Sequence, residues 1–147
     1  MEKWLPLLAT VVAGGLVGMQ APINSILGKQ VGTFAAASVS FAVGLAVLVA
    51  ITLVLGEGFG QVGEARHLSW YYLTGGLLGA AYVTTVLLSV RTLGAGGVAS
   101  ATIAGQLTMS VMLDRLGAFG LEERALTAPR VLGIALLALG TVLVVRS

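Results

Sequence analysis

The sequence predicts an all-α integral membrane protein with five transmembrane helices, and three observations predict it. Of the 147 residues, 57% are hydrophobic and only 10% charged, with a mean hydropathy of +1.01. A water-soluble domain carries about a quarter charged residues to cover its surface, so water is not the only solvent of this chain. The eight Lys and Arg and the six Asp and Glu all fall at the ends of, or between, long apolar runs. Those runs are continuous, not alternating, and hydrocarbon offers no partner to the backbone, so each must be a helix and not a barrel strand.

The partition gives spans at about 4–28, 33–56, 69–90, 95–113 and 128–146, in one membrane domain covering 1–147. Each approaches the roughly 20 residues needed to cross the hydrocarbon. A cleavable signal has an apolar core of roughly 7–15 residues followed by a small-residue cleavage site. The first run instead continues to about Leu27, so it reads as a retained span. Helix-start chemistry marks three other boundaries: Thr33 before the second span, Ser69 before the third, and Thr127 with Pro129 at the fifth.

Alternation of the spans sorts the connections onto two membrane faces. The N-terminus and the loops 57–68 and 114–128 lie on one, and the turns 29–32 and 91–94 and the C-terminus on the other. Trp4, Trp70, Tyr71 and Tyr72 collect on the first face, at the headgroup level that aromatic residues favour. That face carries Lys3, Arg66, Arg115, Arg124 and Arg130, and the opposite face Lys29, Arg91 and Arg146. So small a difference leaves two readings open: ordinary insertion with the N-terminus inside, or insertion in both senses. In the second, two opposed copies form the inverted pair that transporters usually build within one chain.

Small residues mark the helix faces able to approach closely. Gly14 and Gly18 in the first span and Gly75 and Gly79 in the third have small-xxx-small spacing; Ser40 and Gly44 form a weaker version, and Gly133 and Gly140 line the fifth span. Such faces pack within a monomer or form a dimer seam. In "GGLVGMQAPINSIL", residues 14–27, Gln20 and Asn24 share one helix face while Pro22 removes a backbone donor. This stretch predicts a kinked or broken helix facing protein or a watery cavity. The fourth span carries Thr102, Gln106, Ser110 and Asp114 at intervals of four, with Gly105 beside Gln106, and the third carries Tyr82 near its middle. Intramembrane polar groups are candidates for function, and the alternative is hydrogen bonding between helices. Asp114 stands at the end of its span, as an edge salt bridge with Arg115 or Arg130 or as a coupling group.

Several classes of chemistry find no residues. No Asp, Glu, Lys, Arg or His occupies the middle third of a span, which favours a neutral or amphipathic solute over proton coupling. There is no cysteine and a single histidine, His67, so no metal site is expected, and no cofactor either. The cations are scattered singly, with no patch for nucleic acid. No catalytic constellation converges, and "GEGFGQVG" at 56–63 lies between two spans, where it reads as a flexible loop and not a nucleotide site.

Taken in order, Gly18-x-Gln20-x-Pro22-x-Asn24, Gly75-Gly76-x-x-Gly79 with Tyr82, Leu93-Gly94-Ala95, Gly105-Gln106, Asp114-x-x-Gly117, and Arg130-x-x-Gly133 with Gly140 resemble the YdcZ-like family of the drug/metabolite transporter superfamily, essentially end to end. Members often carry proline before the Leu-Gly-Ala turn, where this chain has Arg91-Thr92. The resemblance implies a multi-pass protein of the bacterial inner membrane. It also implies half of a ten-helix transporter-type fold, completed by an antiparallel second copy. The polar and small residues of the spans themselves make Gln20, Asn24, Tyr82, Gln106 and Ser110 the expected lining of a small solute's path by alternating access, and Gly14, Gly18, Pro22, Gly75, Gly79 and Gly105 the expected helix breaks and close packing. The alternative function is a non-transporting membrane scaffold or partner subunit.

Overall fold

The computed structural model describes residues 4–56 and 58–146; Lys3, assigned above to the aromatic face, lies outside them. Every regular element among the described residues is helical: α1 (Trp4–Val31), α2 (Thr33–Val54), α3 (Thr74–Leu116) and α4 (Ala128–Arg146), with short 3-10 turns at Val62–His67, Trp70–Leu73 and Ala118–Gly120. Four helices are therefore long and apolar enough to cross a membrane, where the charge pattern predicts five spans. The difference lies in the third helix, which runs through the expected turn at 91–94 and is interrupted only at Gly94 (φ 70°, ψ 171°). The other expected turn, at 29–32, also shrinks to one residue, Gly32 (φ 91°, ψ 153°), between α1 and α2. Both glycines occupy a region of backbone space essentially closed to residues with a Cβ.

Other boundaries move for local reasons. Gly32, not Thr33, stands at the start of α2, and no side chain caps it. Ser69 precedes the 3-10 turn Trp70–Leu73, so α3 begins at Thr74, five residues later than the span predicted from 69. The backbone carbonyl of Thr127 accepts from the N–H groups of Arg130 (3.0 Å) and Val131 (3.1 Å), which starts α4 where Thr127 and Pro129 predict it. The stretch 56–63, expected to be flexible, runs at its last two residues into the 3-10 turns Val62–His67.

The chain divides into two compact parts, one ending at Arg91 and the other starting at Thr92. In the first, α1 and α2 form a hairpin about Gly32, and positions equally distant from that glycine meet. Gly28 faces Ala36 and Asn24 faces Ser40. The start of α3 packs on this pair through Val83 and Leu87 against Ala36 and Ala37, with Leu27 and Tyr82 around them. Leu87 is the one large side chain among the described residues that is fully buried. Every buried residue of α1 and α2 lies between Ala21 and Ala37, near the Gly32 end, and towards their other ends no residue of either helix is buried. Exposed large apolar side chains such as Leu8, Leu16, Leu45 and Leu53 are what a hydrocarbon solvent requires of a membrane helix.

In the second part, the stretch of α3 after Gly94 pairs with α4. A Cβ at Gly96 would lie 3.7 Å from Val144 Cγ1, and one at Gly97 3.4 Å from Val145 Cγ2. Thr141 Oγ1 reaches the carbonyl of Ser100 at 3.0 Å and that of Leu137 at 2.9 Å. At the opposite end of the same hairpin, Arg130 meets Asp114 at 3.5 Å.

A groove with uncharged polar walls

Between α1 and α2 lies an open groove of about 340 Å³ lined by Gln20, Ser40, Phe41, Gly44, Leu45 and Leu48. The hairpin register explains the set. Residues 20 and 44 are equally far from Gly32, as are 24 and 40, so a four-residue period on each helix brings one polar face to another. Gly44 provides the floor, since a Cβ built there meets nothing within 4 Å among the described residues. Phe41 forms a wall and is backed by Gly79, whose Cβ would lie 3.5 Å from Phe41 Cζ. No charged residue is among the described residues that line the groove.

Asn24 and Gln20 share a helix face and differ in role. Asn24 is buried, and its Nδ2 donates to Ser40 Oγ at 3.1 Å. That bond joins α1 to α2 and orients the Ser40 hydroxyl in the groove wall. Gln20 is exposed to the groove, and its carboxamide has no hydrogen bond among the described residues. Pro22 does not break α1, which stays helical from Trp4 to Val31. The proline removes one donor, that to the Gly18 carbonyl, and Ala21, Asn24 and Ser25 around it are buried. The stretch thus lies against protein on one side, as predicted, without the break that the proline also predicts.

The remaining predicted residues fall elsewhere. Tyr82 is half-buried against the cluster of Ala36, Ala37, Val83 and Leu87. In the part beginning at Thr92, Gln106 and Ser110 are exposed, while Thr102 and Asp114 are half-buried. Asp114 and Arg130 retain 32% and 29% side-chain exposure; Arg130 Nη1 is enclosed yet makes no aligned hydrogen bond, so the 3.5 Å contact is one of charge. The Arg124 N–H donates to the Asp114 carbonyl at 2.8 Å, closing the loop after α3. Arg115, Glu123 and Arg124 line a second cleft of about 400 Å³ there, with Ala125 and Leu126, and an exposed ion pair at 3.9 Å joins Arg115 to Glu123.

The glycines divide in a way that spacing alone does not reveal. A Cβ at Gly14, Gly18, Gly75 or Gly105 meets nothing within 4 Å among the described residues. Gly28, absent from the small-residue patterns, is instead crowded by other helices, with its Cβ position 3.3 Å from Arg91 Nη2, 3.6 Å from Leu87 Cδ2 and 3.7 Å from Ala36 Cβ. The same guanidinium reaches Thr33 Oγ1 at 3.5 Å. Arg91 therefore has a local partner set of its own where the resembled family often has proline. The groove residues Ser40, Phe41, Leu45 and Leu48 are not among those predicted to bind. Their signal is equal spacing about Gly32, which becomes readable once that glycine is known to be the whole turn.

Long apolar helices with their charges at the ends, and a groove with neutral polar walls, define a multi-pass helical membrane protein. Residues 5–143 match the family model described as "Putative inner membrane exporter, YdcZ", and the chain belongs to that family. It is accordingly a multi-pass protein of the inner membrane, and the family's description is one of transport and not of catalysis. No curated protein and no solved structure matches the chain.

Proposed function

We propose that the protein is a transporter of small neutral solutes, working by alternating access as a homodimer of oppositely inserted copies. The observation that carries this reading is the α1–α2 groove, where Gln20 stands without a partner among the described residues beside Ser40. Gln20 lies twelve residues from Gly32, or about 18 Å along the helix, near the middle of a hydrocarbon layer about 30 Å thick. A polar group left there is a candidate for solute contact. Gln106 and Ser110, with Gly105 beside them, supply the corresponding polar stripe on α3, and Tyr82 an aromatic surface. Asn24 acts through Ser40, which it orients.

Two features support the dimer. Gly32 and Gly94 lie in the same region of backbone space, with positive φ and extended ψ, so we read Gly94 as a second helix–glycine–helix turn and the chain as five spans, half of a ten-helix assembly. The uncovered small faces at Gly14, Gly18 and Gly75 are where a second copy would seat. Asp114 we assign to the edge salt bridge with Arg130. The absence of a titratable residue among the described residues lining the groove favours transport driven by the solute's own gradient.

The test is uptake into proteoliposomes by wild type and Gln106→Leu, with the dimer followed by crosslinking. Uptake lost in an intact dimer supports the reading, and unchanged uptake removes Gln106 from the path. The chain has no cysteine, so single introduced cysteines labelled from each side report its orientation. Labelling of one site from both sides supports opposed insertion. A single fixed orientation favours the alternative, a non-transporting partner subunit.

A further inference from the structure

We infer that the α1–α2 groove is a binding site for a neutral amphipath bearing an amide-like donor–acceptor pair on a flat apolar body; this deepens the transport reading and rests on it. The chemistry follows from what the walls offer and leave unsatisfied. Ser40 Oγ accepts from Asn24 Nδ2, so one of its two lone pairs is engaged and its own proton remains to donate. Gln20 offers two N–H donors and one carbonyl acceptor, none hydrogen-bonded among the described residues. Unpaired groups at this depth are costly in hydrocarbon. An occupant that supplies an acceptor to Ser40 and Gln20 and a donor to the Gln20 carbonyl removes that cost.

The other surfaces set the rest of the molecule. Phe41, Leu45 and Leu48 form an apolar wall opposite Gln20, and Gly44 opens a floor where a ring can lie. The volume, about 340 Å³, stands at the small end of ligand pockets, enough for a compact ring system. With no charged residue in the lining, an ion would enter without a counter-charge. An acyl chain would leave Gln20 unsatisfied. A helix from a second copy would do so in part, because its backbone N–H groups are spent within the helix. A neutral solute satisfies all of these groups.

Three indoles with one ring system and different charge test the assignment: indole-3-acetamide (neutral), tryptamine (cation) and indole-3-acetate (anion). Binding is read by saturation-transfer NMR and thermal shift on the full chain in phosphatidylethanolamine–phosphatidylglycerol nanodiscs. The amide should bind at least about tenfold more tightly than either ion, and Gln20→Leu should weaken it by about tenfold, the worth of one or two hydrogen bonds. Leu48→Trp, which narrows the groove without touching a polar group, should abolish binding in a folded protein. Equal affinities, a preference for tryptamine, no binding of the amide, or indifference to Gln20→Leu each overturn the site. So does an efficient disulfide between copies carrying Gly44→Cys, which makes a second helix the occupant. Flux separates the two claims: amide binding without amide uptake keeps the site and removes transport, whereas tryptamine uptake without amide binding keeps transport and removes the site.

Discussion

The part ending at Arg91 and the part beginning at Thr92 use different means to hold apolar helices together. The first is fastened near Gly32, where Gly28, Ala36, Leu87 and Arg91 converge, and towards their other ends α1 and α2 bury no residue. The second is tied at both ends of one hairpin, by Gly96, Gly97 and Ser100 against α4 at one end and by Asp114 with Arg130 at the other. Lipid is as apolar as leucine, so neither part gains from hiding hydrocarbon. Close packing and a few polar contacts must do the work. A hairpin tied at both ends is suited to move as one body. A bundle fastened at one end would, in the proposed transport cycle, open and close around its groove.

The largest effect should come from Gly28, the glycine crowded at the fastened end of the first part. Gly28→Leu forces a side chain into space already held by Arg91, Leu87 and Ala36, and overpacking of this kind costs about 1–3 kcal/mol. Gly14→Leu enters space that is empty among the described residues, so the protomer should keep its stability while the proposed dimer is lost. Unfolding in mixed micelles reads the first effect and crosslinking between copies the second. Equal destabilisation by both substitutions would erase the distinction between a fastened end and an open one.

How much of this was legible in the sequence depends on the physics behind each signal. The spans 4–28, 33–56 and 128–146 match α1, α2 and α4 within three residues at each end, because hydrocarbon fixes the length and the apolar character of a crossing helix. The turns did not follow, because charged Lys29 and Arg91 mark the membrane edge without ending a helix. Their long stems let the charge reach water while the backbone stays helical, and the backbone leaves the helical region only at Gly32 and Gly94. The hydrogen bond from Asn24 to Ser40 and the contact of Arg91 with Gly28 were hidden for a related reason. Spacing defines a face, but the residue opposite depends on the turn's exact length. The Asp114–Arg130 contact was legible as one of two pairings because both residues stand at span ends, where an ion pair costs little to hydrate.

That edge pair supplies the intermediate effect. Asp114 and Arg130 are about a third exposed, so screening reduces their attraction, and a double-mutant cycle with Asp114→Ala and Arg130→Ala should give a coupling of about 0.5–1 kcal/mol. The coupling should shrink as salt is raised, whereas the cost of Gly28→Leu, which is steric, should not change. Asp114→Ala alone should exceed the coupling, since it leaves the enclosed Arg130 Nη1 without its neighbouring charge. A coupling unaffected by salt would mean that the pair is shielded from water, and this end of the hairpin would then resemble a buried core.

The smallest effect belongs to the hydroxyl at the other end of the same hairpin. Thr141 Oγ1 has one proton and two acceptors in reach, the Ser100 carbonyl across the helix pair and the Leu137 carbonyl one turn back in its own helix. When the helices separate, the proton keeps the Leu137 carbonyl. Only the difference between the two arrangements counts towards association, so Thr141→Val should cost about 0.6 kcal/mol, the average for interhelical hydrogen bonds in membranes. Thr141→Ser, which keeps the hydroxyl, should restore part of that. A loss above about 2 kcal/mol for the valine variant would exceed what such bonds supply. It would place the burden of holding α4 on this one contact and not on the glycine approach at Gly96 and Gly97, leaving the second part fastened no more broadly than the first.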